Sequence, residues 1–193
     1  MNDIQKIDSL KAKTMVLAVD LPSNFKSFNE AERPRFFPNR YPKYYSEKCY
    51  LLNKDLNMGF LYVRYNDWVY KEYVNKIKNN IPKLLQLKIE DLKFAYGADI
   101  KFFQNRYEYI EGHQMLLTEY RTLFGTPDTM FYHMDILIIL KDTYAEINIL
   151  GSTNQDSVLD KIRVYAYLIK NSIRVIEESE RDSTRMLGCV GLY

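Results

Sequence analysis

The sequence has few of the residues that build metal sites, disulfide frameworks and phosphate-binding loops. Its 193 residues include two histidines, two cysteines and seven glycines. His113, His133, Cys49 and Cys189 lack the short paired spacing that is typical of a zinc site. The scattered glycines form no phosphate-binding loop. The sequence therefore predicts neither a bound metal nor a cofactor.

Long apolar runs are also missing, and the charges are nearly balanced. The longest apolar run, Ile136–Leu140, has the length of a strand rather than of a membrane span. Residues 1–13, MNDIQKIDSLKAK, carry acids and no long apolar stretch, so we expect no secretory signal. The low cysteine content favours a reducing compartment, and we expect a cytoplasmic protein. A net charge of +2 gives no global field that would attract nucleic acid or an anionic membrane.

The hydrophobic pattern predicts short strands joined by compact turns through most of the chain. After a short helix in the first dozen residues, residues 14–21 are predicted to form a strand. KCYLL and GFLYVRY, on either side of NKDLNMG, predict a β-hairpin. We expect a helix after Asp67 and a short helix from Pro82. From Leu92 to Gly151, beginning with LKFAYG, alternating segments predict an antiparallel meander.

The strongest periodic signal predicts a long amphipathic helix from Gln155 to about Glu178. Its apolar positions recur at helical spacing: Val158, Leu159, Ile162, Tyr165, Ala166, Ile169, Ile173 and Ile176. Ser152 to Gln155 matches a capping box at its start. We expect the helix to cover the meander face that carries Ile136, Ile138 and Leu140.

These elements predict an α+β fold, with an antiparallel meander sheet packed against the long C-terminal helix and a second helix on the same side. We expect one domain over residues 1–178. Within it, residues 22–48 form a long connection rich in proline and aromatic residues. Residues 179–193 are expected to be a flexible tail.

The C-terminal half resembles the PsbP-like and DcrB-like domains. The resemblance rests on DILIILKDTYAEINILGS followed by DKIRVYAYLIKNSIRV, with Ser172 and Ile173 near the end of the helix. It covers residues 100–178 and is a pattern of elements without a site motif. It implies a non-enzymatic adaptor or accessory protein. Members of these families are often exported, and this chain differs from those members because we expect no signal or lipid anchor.

Two candidate arrangements could support chemistry. His133 and Asp135 fall on one face of the strand TMFYHMDILIIL, opposite Ile136 and Ile138, where the histidine could be an oriented general base. Cys49 could supply a thiol nucleophile to His133. General bases usually accompany a nucleophile or metal, so we expect His133 and Asp135 to be a solvent-facing polar pair and Cys49 to be a small buried residue.

Aromatic residues are abundant, with 17 tyrosines and 10 phenylalanines, and they concentrate with cations in RPRFFPNRYPKYY. Arginine and tyrosine are enriched at protein-binding hot spots, and the prolines reduce the entropy lost on ordering. We therefore predict a partner-binding segment formed by Arg35, Phe36, Phe37, Arg40, Tyr41, Lys43, Tyr44 and Tyr45. The alternatives are that these aromatics pack into their own domain, or that residues 33–48 bind single-stranded nucleic acid.

The function predicted from these observations is a non-catalytic protein-binding module of a bacterium. An immunity protein that sterically blocks a secreted toxin, such as a type VI secretion effector, fits the single domain without catalytic motifs. An adaptor or chaperone of a secretion system is the related alternative. A small hydrolase using His133 and Asp135 is the alternative from another class. A homodimer is compatible with the sequence.

Overall fold

The computed structural model of the protein describes residues 15–22, 24–26, 28, 45–65, 80–123, 129–140 and 144–177. Four predictions fall outside these ranges: the N-terminal helix, most of the proline-rich connection, the helix after Asp67, and the tail over residues 179–193. The described part of the chain contains eight strands and two α-helices.

The strands are β1 (Met15–Ala18), β2 (Tyr45–Asn53), β3 (Met58–Tyr65), β4 (Ile100–Ile110), β5 (His113–Leu123), β6 (Met130–Ile139), β7 (Tyr144–Thr153) and β8 (Arg174–Glu177). The helices are α1 (Ile81–Tyr96) and α2 (Asp156–Asn171). Six strands form one antiparallel sheet in the order β2-β3-β7-β6-β5-β4. The predicted α+β fold with an antiparallel meander is confirmed, and β1 and β8 form a separate two-stranded sheet.

The predicted hairpin forms because its turn satisfies its own backbone. The Asn53 side-chain oxygen accepts hydrogen bonds from the backbone N–H groups of Asp55 and Leu56, at 3.1 and 3.2 Å. Asn57 adopts a φ of 48°, which asparagine tolerates better than most residues. These contacts fix the β2–β3 register, in which Tyr50 lies opposite Leu61.

Two apolar clusters lie on opposite faces of the sheet. On one face, α2 packs its buried residues Leu159, Ile162, Ala166 and Ile169 into a cluster with Ile136 and Ile138 of β6 and with Leu140, which follows β6. This packing agrees with the predicted use of that face. On the other face, Ile81 of α1 joins a smaller cluster with Leu61, Leu116 and Ile139. The two described helices therefore lie on opposite faces of the sheet. The second helix that was predicted to share the face of α2 is the one after Asp67, which lies outside the described residues, so its placement stays a prediction.

The segment LKFAYG is helical, and its prediction as a strand is wrong. Leu92, Phe94 and Tyr96 alternate as in a strand, but Leu92 also continues the helical spacing of the buried Ile81. Phe94 is 95 % exposed, so this alternation does not mark a buried sheet face. Gly97 ends α1 with a φ of 58°, and its N–H donates to the carbonyl of Lys93.

The C-terminal helix is also shorter than predicted, because it ends at Asn171. Ser172 bonds to the Ile169 carbonyl oxygen at 2.8 Å, and Arg174–Glu177 then pair with Met15–Ala18 as a strand. Ile173 and Ile176 continue the helical spacing beyond Asn171, so the periodic signal extended the prediction past the true end of the helix. The predicted capping box is absent, since Ser152 belongs to β7 and the backbone N–H of Gln155 donates to the Thr153 hydroxyl.

Candidate functional site

The central strand β6 brings the predicted pair His133 and Asp135 to the face of the sheet that α1 covers. The prediction that they share a face opposite Ile136 and Ile138 is confirmed by the alternating burial of β6. The expectation that this face is open to solvent is wrong. The Asp135 side chain is only 15 % exposed because α1 lies over it.

Asp135 is held by partners from two different elements. Lys88 of α1 places its Nζ 2.8 Å from Oδ2 of Asp135. The hydroxyl of Tyr120 on β5 donates to the same oxygen at 3.3 Å. The charge of Asp135 raises the pKa of Lys88, while burial, followed by the Asp135 charge, raises the pKa of Tyr120 well above its usual range. Both donors therefore keep their protons at neutral pH, and Asp135 accepts from both.

His133 is packed as a neutral aromatic ring. Its imidazole stacks on the ring of Tyr120 with centroids 4.6 Å apart, and the Tyr96 ring approaches from α1 at 6.5 Å. Its Nε2 lies 3.4 Å from the Thr122 hydroxyl oxygen. Burial lowers the pKa of His133 to about 4. The ring is thus uncharged at neutral pH and a weak base.

The geometry does not make His133 and Asp135 a catalytic dyad. In such a dyad the carboxylate accepts a hydrogen bond from the imidazole and orients it. Here the hydrogen-bond partners of Asp135 within the described ranges are Lys88 and Tyr120. An efficient general base also has a pKa near the operating pH, whereas that of His133 is lowered to about 4.

A cleft of about 300 Å³ opens beside this pair, between α1 and strands β5, β6 and β7, and we call it the α1 cleft. Its apolar wall includes Leu84, Leu116 and Leu137. Its polar lining comprises Lys88, Asp91, Thr118, Asp135, Glu146 and Asn148. A cavity of this volume is at the lower end of the range for small-molecule sites.

A second polar cluster lies on the opposite face, around the fully buried carboxylate of Glu119. Its donors are Nε of Arg163 at 2.8 Å, the Tyr167 hydroxyl at 2.7 Å, the Tyr132 hydroxyl at 3.2 Å and the Gln104 amide at 3.1 Å. The Arg163 guanidinium also lies over the Phe103 ring, 4.4 Å from its centroid. A carboxylate with four donors is satisfied, and we interpret this cluster as a structural link between α2 and the sheet.

Cys49 and His133 do not come together. Cys49 lies in β2 opposite Tyr62, whereas His133 lies in β6. Strands β3 and β7 separate β2 from β6, which places the two backbones roughly 14 Å apart at ordinary strand spacing. The hypothesis of a Cys49–His133 nucleophile pair is therefore wrong.

The predicted partner-binding segment is mostly outside the described residues. Arg35, Phe36, Phe37, Arg40, Tyr41, Lys43 and Tyr44 all fall there. Tyr45 begins β2 and pairs with Tyr65 of β3. The binding role of the segment stays a prediction.

Sequence reasoning missed Lys88, Tyr120 and Glu119. A signal for Lys88 was present, because it lies between Leu84 and Leu92 at helical spacing, within the buried side of α1. Tyr120 shares a strand face with Thr118 and Thr122, and together they form a polar row on that face of β5. Its contact with His133 depends on the β5–β6 register, which the sequence alone does not determine.

Metal-binding clusters and membrane-spanning helices are both absent from the described residues. Among them, no three histidine, cysteine, aspartate or glutamate side chains are grouped so that they could hold a metal ion. Neither α1 nor α2 has the length and apolar character needed to cross a membrane.

Comparison with solved structures finds matches over most of the chain at low sequence identity. Cyanobacterial PsbP (CyanoP) from Synechocystis sp. PCC 6803 is 10 % identical with a TM-score of 0.50, covering 86 % of this chain and 95 % of that chain. A mutant of Mog1 is 13 % identical with a TM-score of 0.49, covering 87 % and 98 %. LpqN from Mycobacterium tuberculosis is 7 % identical with a TM-score of 0.41, covering 86 % of each chain.

The likeness to CyanoP confirms the PsbP-like resemblance at the level of the fold. No protein-family model matches the chain, and a sequence search among curated proteins finds no match.

Proposed function

We propose that this chain is a non-catalytic protein-binding module. The observation that carries the proposal is an apolar pair on the outer surface of α2, formed by Val164 and Leu168, each of which is 59 % exposed. The two residues are one helical turn apart and lie side by side. The opposite side of α2 already packs on the sheet, so this pair is unnecessary for the core.

The pair differs from Phe94, the most exposed large apolar residue of the described surface. Phe94 is 95 % exposed, but it lies on α1 across the sheet from α2. Scattered single apolar residues are normal on protein surfaces, whereas adjacent ones favour a contact with a partner. The predicted segment Arg35–Tyr45 would add arginine and tyrosine side chains to such an interface.

The geometry of His133 and Asp135 gives less support to the hydrolase alternative. Asp135 is engaged by Lys88 and Tyr120, and His133 is stacked as a neutral ring with a pKa lowered to about 4. Turnover that is lost in His133→Ala, with stability retained, would restore the enzymatic alternative.

Among protein-binding functions, we propose a bacterial immunity protein that acts in the cytoplasm and sterically blocks a secreted toxin. This role requires a stable surface and no chemistry of its own. An adaptor or chaperone for a secretion apparatus would use the same surface. The product of the adjacent gene distinguishes these roles, because a toxin there supports immunity and a secretion component supports the adaptor.

The test is co-expression with the product of the adjacent gene, followed by affinity measurement and, for a toxin, growth of the host. Replacing both Val164 and Leu168 by aspartate should weaken binding by about 100-fold, or roughly 3 kcal/mol, and abolish protection. The matched control combines Lys83→Gln with Gln86→Glu, because it also adds two negative units, on exposed positions of α1. The control should bind like the parent protein.

If the double-aspartate variant and the control variant bind equally well, the proposal that Val164 and Leu168 form the interface is wrong. In that case Arg35→Asp with Tyr41→Ser tests the predicted segment. Binding of an oligonucleotide that falls steeply with salt would favour the nucleic-acid alternative.

A further inference from the structure

The α1 cleft combines a hydrocarbon wall with an excess of negative charge. Leucines from α1, β5 and β6 line one part of it, and three carboxylates, Asp91, Asp135 and Glu146, line the rest. Lys88 is the single cationic residue among the described lining residues. Glu146 has an interaction partner of its own, and without it the carboxylates Asp91 and Asp135 still outnumber the cation Lys88. This charge favours a cationic guest over a neutral or anionic one.

The protein already places an ammonium group in this cleft. The Nζ of Lys88 lies 2.8 Å from Oδ2 of Asp135, and both residues line the cleft. Because Asp135 is only 15 % exposed, its oxygen is a desolvated acceptor for a charged donor. The contact shows that an ammonium group fits against Asp135 in this cleft.

Lys88 is able to leave this position. Its side chain is 43 % exposed and lies on the surface helix α1, so a rotation about its own side-chain bonds takes the ammonium group into water. Asp135 would then keep the Tyr120 hydroxyl at 3.3 Å as a donor and have an oxygen available for another cation. The cleft would gain the volume that the lysine head group occupied.

We propose that the α1 cleft binds a primary alkylammonium group, which replaces the Lys88 ammonium at Asp135 and packs its hydrocarbon chain on Leu84, Leu116 and Leu137. The group belongs either to a small free amine or to a lysine side chain of a peptide. The site is on the opposite face of the sheet from the α2 pair, so this inference does not depend on the proposed protein-binding function.

The first experiment measures binding of n-pentylamine to the full chain by calorimetry and by amide chemical-shift changes. An affinity on the order of 1 mM is expected for so small a ligand. The isosteric n-pentanol lacks the charge and pentanoate has the opposite charge, and each should bind at least about tenfold more weakly. Nα-acetyl-lysine methylamide distinguishes the two sources, because tighter binding than pentylamine indicates a peptide and weaker binding indicates a free amine.

Two variants test the role of the resident lysine. Lys88→Met keeps the length of the side chain and removes its ammonium group, so it removes the internal competitor and should tighten pentylamine binding by about three- to tenfold. Asp135→Asn should weaken it by at least about tenfold. Asp160→Asn removes an exposed carboxylate from α2 on the other face and should leave binding unchanged.

Thermal unfolding of each variant verifies the fold. If Asp135→Asn fails to fold, Asp91→Asn takes its place and should weaken pentylamine binding through the reduced negative charge of the cleft lining. Equal binding of pentanol and pentylamine, or unchanged pentylamine affinity in Lys88→Met, would overturn the proposal.

Discussion

The rings of Tyr120 and His133 are parallel to within 5°, with centroids 4.6 Å apart. The register of the sheet causes this contact, because the two residues are direct partners across β5 and β6. Phe102 and Tyr96 add further rings next to Tyr120, at 6.1 and 6.5 Å. His133 is therefore part of an aromatic cluster between α1 and the sheet.

This environment makes the stability depend on pH. Burial lowers the pKa of His133 from 6.5 in an accessible chain to about 4 in the folded protein. Between these values the unfolded chain binds a proton more tightly, so stability is fully present above about pH 6.5 and decreases as the pH falls towards 4. The expected contribution of His133 to this loss is on the order of 3 kcal/mol once the pH is below 4.

Urea unfolding at pH 7.5, 5.5 and 4.5 measures this dependence, and His133→Phe should reduce it while retaining an aromatic ring. The control is His113→Gln, at the start of β5. This variant should keep the pH dependence of the parent protein's stability. An unchanged pH dependence in His133→Phe would show that other groups cause the loss of stability at low pH.

The carboxylate of Glu119 is expected to contribute strongly to stability. It is 0 % exposed and accepts hydrogen bonds from Arg163, Tyr132 and Tyr167. Glu119→Ala leaves these donors and the arginine charge without their acceptor, and should lower the free energy of unfolding by about 3 kcal/mol or more. Denaturant unfolding at pH 7 measures the change.

The control is Glu90→Ala on α1, which removes an exposed carboxylate that accepts from Gln86 at 2.8 Å. Its effect should stay within about 0.5 kcal/mol. A loss below about 1 kcal/mol in Glu119→Ala would mean that water replaces the carboxylate in this cluster.

Ser172 links the end of α2 to the β1–β8 sheet. Its Oγ accepts a hydrogen bond from the Asp20 backbone N–H at 3.0 Å, and Arg174 pairs with the Asp20 carboxylate at 3.0 Å. Ser172→Ala should cost about 1 kcal/mol of local stability. The expected result is faster hydrogen exchange at the β8 amides with unchanged exchange in β6.

The exposed Ser157→Ala on α2 is the control for this prediction and should leave both strands unchanged. Equal acceleration in β6 and β8 would show that Ser172 acts on global rather than local stability.

Local patterns predicted the elements whose contacts are near in sequence. The β2–β3 hairpin has its turn signal in Asn53 and Asn57, and both residues fix that turn in the structure. The stripe from Leu159 to Ile169 likewise predicted the buried side of α2. In these cases one short segment contains the physical cause of its own conformation.

The polar sites could not be predicted, because their partners are distant in sequence. Glu119 is 15 residues from Gln104 and 44 from Arg163. Lys88 meets Asp135 only because α1 crosses the face of β6. These contacts depend on strand order and helix placement. The end of α1 was in addition predicted to be a strand at LKFAYG, so the position of Lys88 over β6 could not be predicted.

Gly151 allows α2 to approach the sheet closely. A Cβ atom at this position would lie 2.9 Å from Cγ2 of Ile162 and 3.0 Å from its Cδ1. Ile162 is 0 % exposed and has little room to move. Gly151→Ala should therefore lower the free energy of unfolding by about 1–3 kcal/mol.

A double-mutant cycle with Ile162→Ala tests this cause, because it removes both atoms that the new methyl group would meet. Ile162→Ala alone should cost about 2–5 kcal/mol by leaving a cavity. The methyl group of Gly151→Ala fills part of that cavity, so the combined loss should be smaller than the sum by at least about 1 kcal/mol. Additive losses would contradict the steric explanation and point to a backbone effect of the glycine itself.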